Sequence, residues 1–106
     1  MLKISTCKGI EFINTDTIVR IEAQSNYSMF YFDNGKKLLV AKVLRAFETA
    51  LPINTFIRTH RKHLVNINFI RSYENGTISL HNLQKIEVAR RKKIAFLNNW
   101  ANIKAS

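Results

Sequence analysis

The chain has one cysteine, one proline and three glycines in 106 residues. With Cys7 alone no internal disulfide can form, and a reducing compartment fits. Cys7 lies in an apolar-rich opening stretch, where a small buried or edge residue is expected rather than a nucleophile. Gly9, Gly35 and Gly76 are scattered, so no glycine-rich loop is there to cradle a phosphate. Asp and Glu number only seven and are too dispersed for a paired-carboxylate site. No stretch approaches the apolar length of a membrane span, and the N-terminus lacks a signal peptide's apolar core. The expectation is a soluble, cytoplasmic protein that is not an enzyme and needs no cofactor. A ribonuclease-like pairing of His with Lys stays open, without a second signal to support it.

What the chain does have is positive charge. Seventeen Lys and Arg leave a formal +10 and a sequence pI near 10.2, while hydrophobic residues make up an ordinary 46%. The excess is lopsided. Residues 1–57 carry seven basic and five acidic side chains, and residues 58–106 carry ten and two. A strongly cationic half is the electrostatic footprint of a polyanion partner, most often nucleic acid. An anionic membrane surface is the competing reading, and a merely solubilising charge the bland one. The length predicts one domain, residues 1–106, with a modest single core.

Short strands dominate the pattern. "GIEFI" is apolar-rich, and "DTIVRIEAQ" alternates, with Ile18, Arg20, Glu22 and Gln24 on one side and Val19, Ile21 and Ala23 on the other. Asp33-Asn34-Gly35 between "YSMFYF" and "KKLLVA" predicts a hairpin over residues 27–41, because Asn-Gly supplies the positive φ that a tight turn needs. Glu74-Asn75-Gly76 repeats the signal between "FIRSY" and "TISLH". Two stretches read as helices instead. "KVLRAFETALP" puts Val43, Leu44, Phe47 and Leu51 on one stripe before Pro52, and "RRKKIAFLNNWANI" spaces Ile94, Leu97, Trp100 and Ala101 helically.

Three places concentrate chemistry. The polar stretch Gln24-Ser25-Asn26-Tyr27-Ser28 offers amides that can pair with adenine and hydroxyls that can hold phosphate, although taken alone a plain strand connection explains it better. "FIRTHRKHLVNI" predicts two short strands framing a basic loop, where Arg can grip guanine and Lys a phosphate. His60 and His63 have the H-x-x-H spacing of a zinc site, but no cysteine pair or acidic ligand accompanies them, and His60 reads better as a structural histidine. The third place is Arg90-Arg91-Lys92-Lys93 at the start of the last helix. Four cations there oppose the helix dipole, a conflict with local preference that marks functional sites, with a solvated charge run as the alternative.

With these stretches in view, the sequence resembles the LytTR-type DNA-binding domain, the output module of many bacterial response regulators, over nearly its whole length. "IVRIEAQSNYSMFYFDNG" is similar to the family's strand, polar loop and strand. "FIRTHRKHLVNINFI" carries its most specific motif: Phe56, then Arg58-x-His60-Arg61, then Leu64-Val65-Asn66. "IEVARRKKI" resembles the closing segment. Two departures stand out: Lys62 and Ala89 occupy positions where the family has Ser, usually at the first and often at the second.

The resemblance implies a mainly β fold: an elongated arrangement of small packed antiparallel sheets with one or two short helices. It implies a transcription regulator that binds double-stranded DNA sequence-specifically through loops rather than a recognition helix. Base contacts would come from Asn26 or Ser28, from Arg61 and from Arg91. Tyr27, Arg58, His60, Lys62, Arg90, Lys92 and Lys93 would support them or hold phosphates. The implied partners are paired repeat sites on DNA and an upstream receiver domain or partner regulator, with no membrane. The residues themselves leave two alternatives: an RNA or single-strand binder using Tyr27, Phe30 and Tyr31 as a stacking platform, or an interaction domain that modulates a full-length regulator.

Overall fold

The computed structural model describes residues 1–52 and 54–105, the last five by their backbone alone. Its centre is a five-stranded antiparallel sheet ordered β5-β4-β3-β7-β6, made of β3 (Ile18–Gln24), β4 (Tyr27–Phe32), β5 (Lys37–Val40), β6 (Phe56–His60) and β7 (His63–Asn66). The hairpin of β1 (Leu2–Thr6) and β2 (Gly9–Ile13) and the short helix α1 (Leu44–Ala50) pack on one face. A three-stranded sheet packs on the other, formed by β8 (Ile70–Glu74), β9 (Thr77–Leu80) and β10 (Lys85–Glu87), together with helix α2 (Lys93–Ala105). The extents, 41 × 27 × 24 Å, make the molecule elongated, as expected.

Because side chains alternate across a strand, adjacent apolar residues of the central sheet feed opposite faces. Phe56 and Leu64 join Ile21, Phe30 and Phe47 on one side, while Ile57 and Val65 join Ile78, Leu80 and Phe96 on the other. Two hydrophobic clusters therefore replace the single core expected from length. The simple alternation read in β3 also needs correcting. A bulge between Ile18 and Arg20 shifts the register, so Ile18 shares a cluster with Ile21 and Ala23, and Val19 faces the opposite cluster. Fully buried Asn66 ties the sheet together: its amide donates to the Ile18 carbonyl at 2.8 Å, and its oxygen accepts from the Asn68 N–H at 2.9 Å.

The turns follow their residues. Asn75-Gly76 forms a two-residue turn with φ of 51° and 81°, and both angles must be positive there. The Asp33–Lys36 connection is longer than a tight turn, and only Gly35 takes a positive φ. Cys7 is exposed in the β1–β2 turn and not buried. Val43 precedes α1 and is 51% exposed, so the stripe is Leu44, Phe47 and Leu51. In α2 buried Phe96 and half-buried Trp100 pack against Tyr73, whereas Ile94 and Leu97 face solvent. Of the expected stripe Trp100 packs inward, and Phe96 takes the place of Ile94 and Leu97; the Ala101 side chain lies outside the described residues.

Candidate nucleic-acid interface

One end of the central sheet gathers the polar turns. β3 and β4 pair up to Gln24 and Tyr27, leaving Ser25-Asn26 as the turn, with Ser25 at φ 57°. Beside it, the Ala23 N–H donates to the Lys62 carbonyl at 2.8 Å, which sets the β6–β7 tip, Arg61-Lys62, at the same end. The chain then returns past β6: the Ala89 N–H donates to the Thr59 carbonyl at 2.7 Å, and a 3-10 turn over Arg90–Lys92 follows. Asn26, Arg61 and Arg91, far apart in sequence, thus come to one edge. With strands about 4.8 Å apart, the Ser25-Asn26 and Arg61-Lys62 turns are centred roughly 10 Å from each other, close to a major-groove width of about 12 Å.

The β6–β7 tip is held by side chains as well as by its strands. Arg58 donates from Nε to the His60 carbonyl at 3.0 Å and from Nη2 to the Arg61 carbonyl. Its Nη1 donates to Glu48 Oε1 on α1 at 2.8 Å. His60 Nδ1 accepts the Lys62 N–H at 3.1 Å and closes the turn from inside. Arg61 and Lys62 are left exposed beyond these anchors. A cleft of about 420 Å³ between α1, this tip and the 3-10 turn is lined by Arg58, Arg61, Arg91 and Lys92, with Glu48 as its one acid. Such a cleft can hold phosphate oxygens by charge and by bidentate guanidinium bonds.

The anticipated site residues do not all reach this surface. Asn26, Tyr27, Arg61, Lys62, Arg90 and Arg91 are exposed there, while Arg58, His60 and Lys92 are half-buried beneath them. Ser28 is fully buried, and its hydroxyl donates to the Lys42 carbonyl at 2.7 Å, so it has nothing to offer a base. Lys93 folds against Gly76 in the β8–β9 turn, where an added Cβ would meet its Nζ at 2.9 Å. The aromatic platform considered for single strands does not form. Phe30 is buried against Phe47, and the Tyr31 ring is covered by the Arg20 guanidinium at 3.8 Å.

Two further residues belong to this edge. Lys42, exposed just beyond β5, is carried there by the Ser28 bond to its carbonyl. Glu48 enters the cleft from α1. Neither carries a local sequence signal; only the fold places them. The one hint for Glu48 was its rarity as an acid next to so basic a half.

Behind the turns runs a polar row on β3. Arg20 donates to Gln84 Oε1 at 3.0 Å and to Glu22 Oε1 at 3.2 Å, and His63 Nδ1 lies 3.8 Å from the same carboxylate oxygen. Burial pushes the His63 imidazole below its ordinary 6.5; Glu22 opposes the shift, and Arg20, His60 and Lys62 reinforce it. A base whose folded pKa is depressed stabilises the fold fully above the unfolded value. That contribution is lost as pH falls from 6.5 through the lowered value. The melting temperature should therefore drop as pH falls below about 6.5, and His63→Gln should flatten that drop. An unchanged pH profile in the variant would remove His63 as its source.

Comparison with known proteins bears on the family and the fold. The family model of the LytTr DNA-binding domain matches residues 8–101. Among solved structures, the LytTr DNA-binding domain of a response regulator from Bacillus cereus superposes with a TM-score of 0.77 at 22% identity, covering 92% of this chain and 94% of that one. No curated protein matches.

Proposed function

Since the chain belongs to the LytTR family of DNA-binding domains, we propose that it reads double-stranded DNA sequence-specifically for a bacterial transcription regulator, through the basic turns of one sheet edge. The observation that carries this reading is the meeting of three polar turns, Ser25-Asn26, Arg61-Lys62 and Arg90–Lys92, at that edge. Arg61 and Arg91 stand exposed over half-buried Arg58, His60 and Lys92, an arrangement suited to base contacts above a phosphate-holding floor. Asn26 on the neighbouring turn would reach bases on the other side of the same groove. Lys42, Lys62 and Arg90 supply charge without orientation and would track the backbone. Ser28, being buried, is left out of the contacting set.

The domain would act in the cytoplasm, two copies side by side on paired repeats, under a receiver domain or partner regulator. Loss of Phe30 and Tyr31 from the platform leaves Tyr27 as its one exposed ring, which weighs against single-strand stacking. Arg61→Ala tests the assignment. On a duplex selected from a random pool it should cost roughly 1–3 kcal/mol of discrimination, confined to one base position. A uniform loss over all sequences would make Arg61 a phosphate contact. Equal competition by single-stranded RNA would overturn the duplex reading itself.

A further inference from the structure

Glu48 is the one acid in a cleft that otherwise collects cations, and on a surface meant only to attract phosphate it is a defect. Its geometry gives it another task. Oε1 accepts from Arg58 Nη1 at 2.8 Å, while Arg58 Nε and Nη2 donate to the His60 and Arg61 carbonyls. The guanidinium is planar and its donors sit in a fixed fork, so the carboxylate on Nη1 adds a third anchor to the plane that the two carbonyl bonds define. The two carbonyls flank the base-reading tip, next to the irregularity between Arg58 and His60 in the β6–β7 pairing. Helix α1 is itself pinned by Leu44 and by Phe47, the residue before Glu48.

We infer that Glu48 is a positioning residue: acting through Arg58, it locks the β6–β7 tip so that Arg61 meets one base in one geometry, at the cost of some general attraction for DNA. Without it, Arg58 becomes a loose cation free to turn to a phosphate, and the tip carbonyls lose their common donor. The inference rests on the DNA-binding reading above, and it predicts effects of opposite sign on two duplexes.

The probes are a duplex selected from a random pool and a base-permuted duplex of the same composition. Glu48→Ala should bind the permuted duplex about twofold more tightly, because a negative charge has gone. It should bind the selected duplex about tenfold more weakly, because Arg61 is misplaced. Glu48→Gln, which keeps an acceptor oxygen, should fall between the two. In an Arg58→Ala background, Glu48→Ala should shift both duplexes alike. Equal gain on both duplexes in the otherwise wild-type chain would reduce Glu48 to a charge, and equal loss would reduce it to fold support; either overturns the inference. Backbone order parameters of His60–Lys62 supply a readout without DNA. They should fall in Glu48→Ala and Arg58→Ala; unchanged values would also overturn it. A wild-type chain that binds neither duplex would sink the DNA reading instead, and the order parameters would still decide the strut.

Discussion

Raising monovalent salt from about 50 mM to about 200 mM should weaken duplex binding roughly a thousandfold. The sequence carries a formal +10, and residues 58–106 hold ten of its seventeen cations. At the sheet edge, Lys42, Arg61, Lys62, Arg90 and Arg91 are exposed and Lys92 lies half-buried behind them. If about six phosphates are neutralised, each releases condensed counterions, and the slope of log affinity on log salt should lie near −5. The edge also divides its labour. A lysine is a hydrated point charge on a flexible stem, so Lys42→Ala or Lys62→Ala should make the slope shallower by about one and leave discrimination between duplexes unchanged. Arg91→Ala should lower both. Fluorescence anisotropy over a salt series, on a selected and a permuted duplex, checks all three. Salt-insensitive binding would mean that the cationic edge is not the contact surface.

The gathering of that edge was partly legible before any coordinates. Asn75-Gly76 announces its own turn, and "FIRTHRKHLVNI" announces a hairpin, because apolar residues at the pleat spacing bracket a run that cannot be buried. Such signals are local, and local signals survive reading one residue at a time. Ser28 was misjudged because its fate depends on a residue fourteen positions away: β4 and β5 pair Ser28 with Val40, which delivers the Lys42 carbonyl to its hydroxyl. Glu48 was missed for a similar reason, since α1 and β6 are brought together only by burying Phe47, Leu51 and Phe56 in one cluster. A bulge in β3 hid the two-faced core, because one extra residue exchanges Ile18 and Val19 between faces without changing composition. In α2 the row of Ile94 and Leu97 and the row of Phe96 and Trp100 are both apolar. Packing against Tyr73 and the cluster of Ile57, Ile78 and Val88 chooses between them.

That choice makes Phe96 the residue on which the third turn depends, and Phe96→Ala should cost about 3–5 kcal/mol. The ring is fully buried, 5.1 Å from Tyr73 and 5.6 Å from Trp100 between centroids, in the cluster that also holds Ile57, Ile78 and Val88. Among the described side chains of α2 the other anchor is half-buried Trp100, since Ile94 is 76% and Leu97 41% exposed. A loss of this size consumes a large part of the roughly 5–15 kcal/mol that holds a small domain together. Leu97→Ala, which removes a more exposed side chain of the same helix, should cost under about 1 kcal/mol. Urea unfolding followed by circular dichroism separates the two. The functional consequence follows from position: Arg90–Lys92 lead directly into α2, so undocking the helix frees Arg91 from its place beside the β6–β7 tip. At a temperature where Phe96→Ala remains folded, discrimination at the Arg91 base should therefore decline while the Arg61 base is still read. Phe47→Ala, in the opposite cluster, should do the reverse by loosening α1 and Glu48. If Phe96→Ala proved as mild as Leu97→Ala, or if both phenylalanine variants weakened the two bases equally, the packing of each face would not be what aims its own turn.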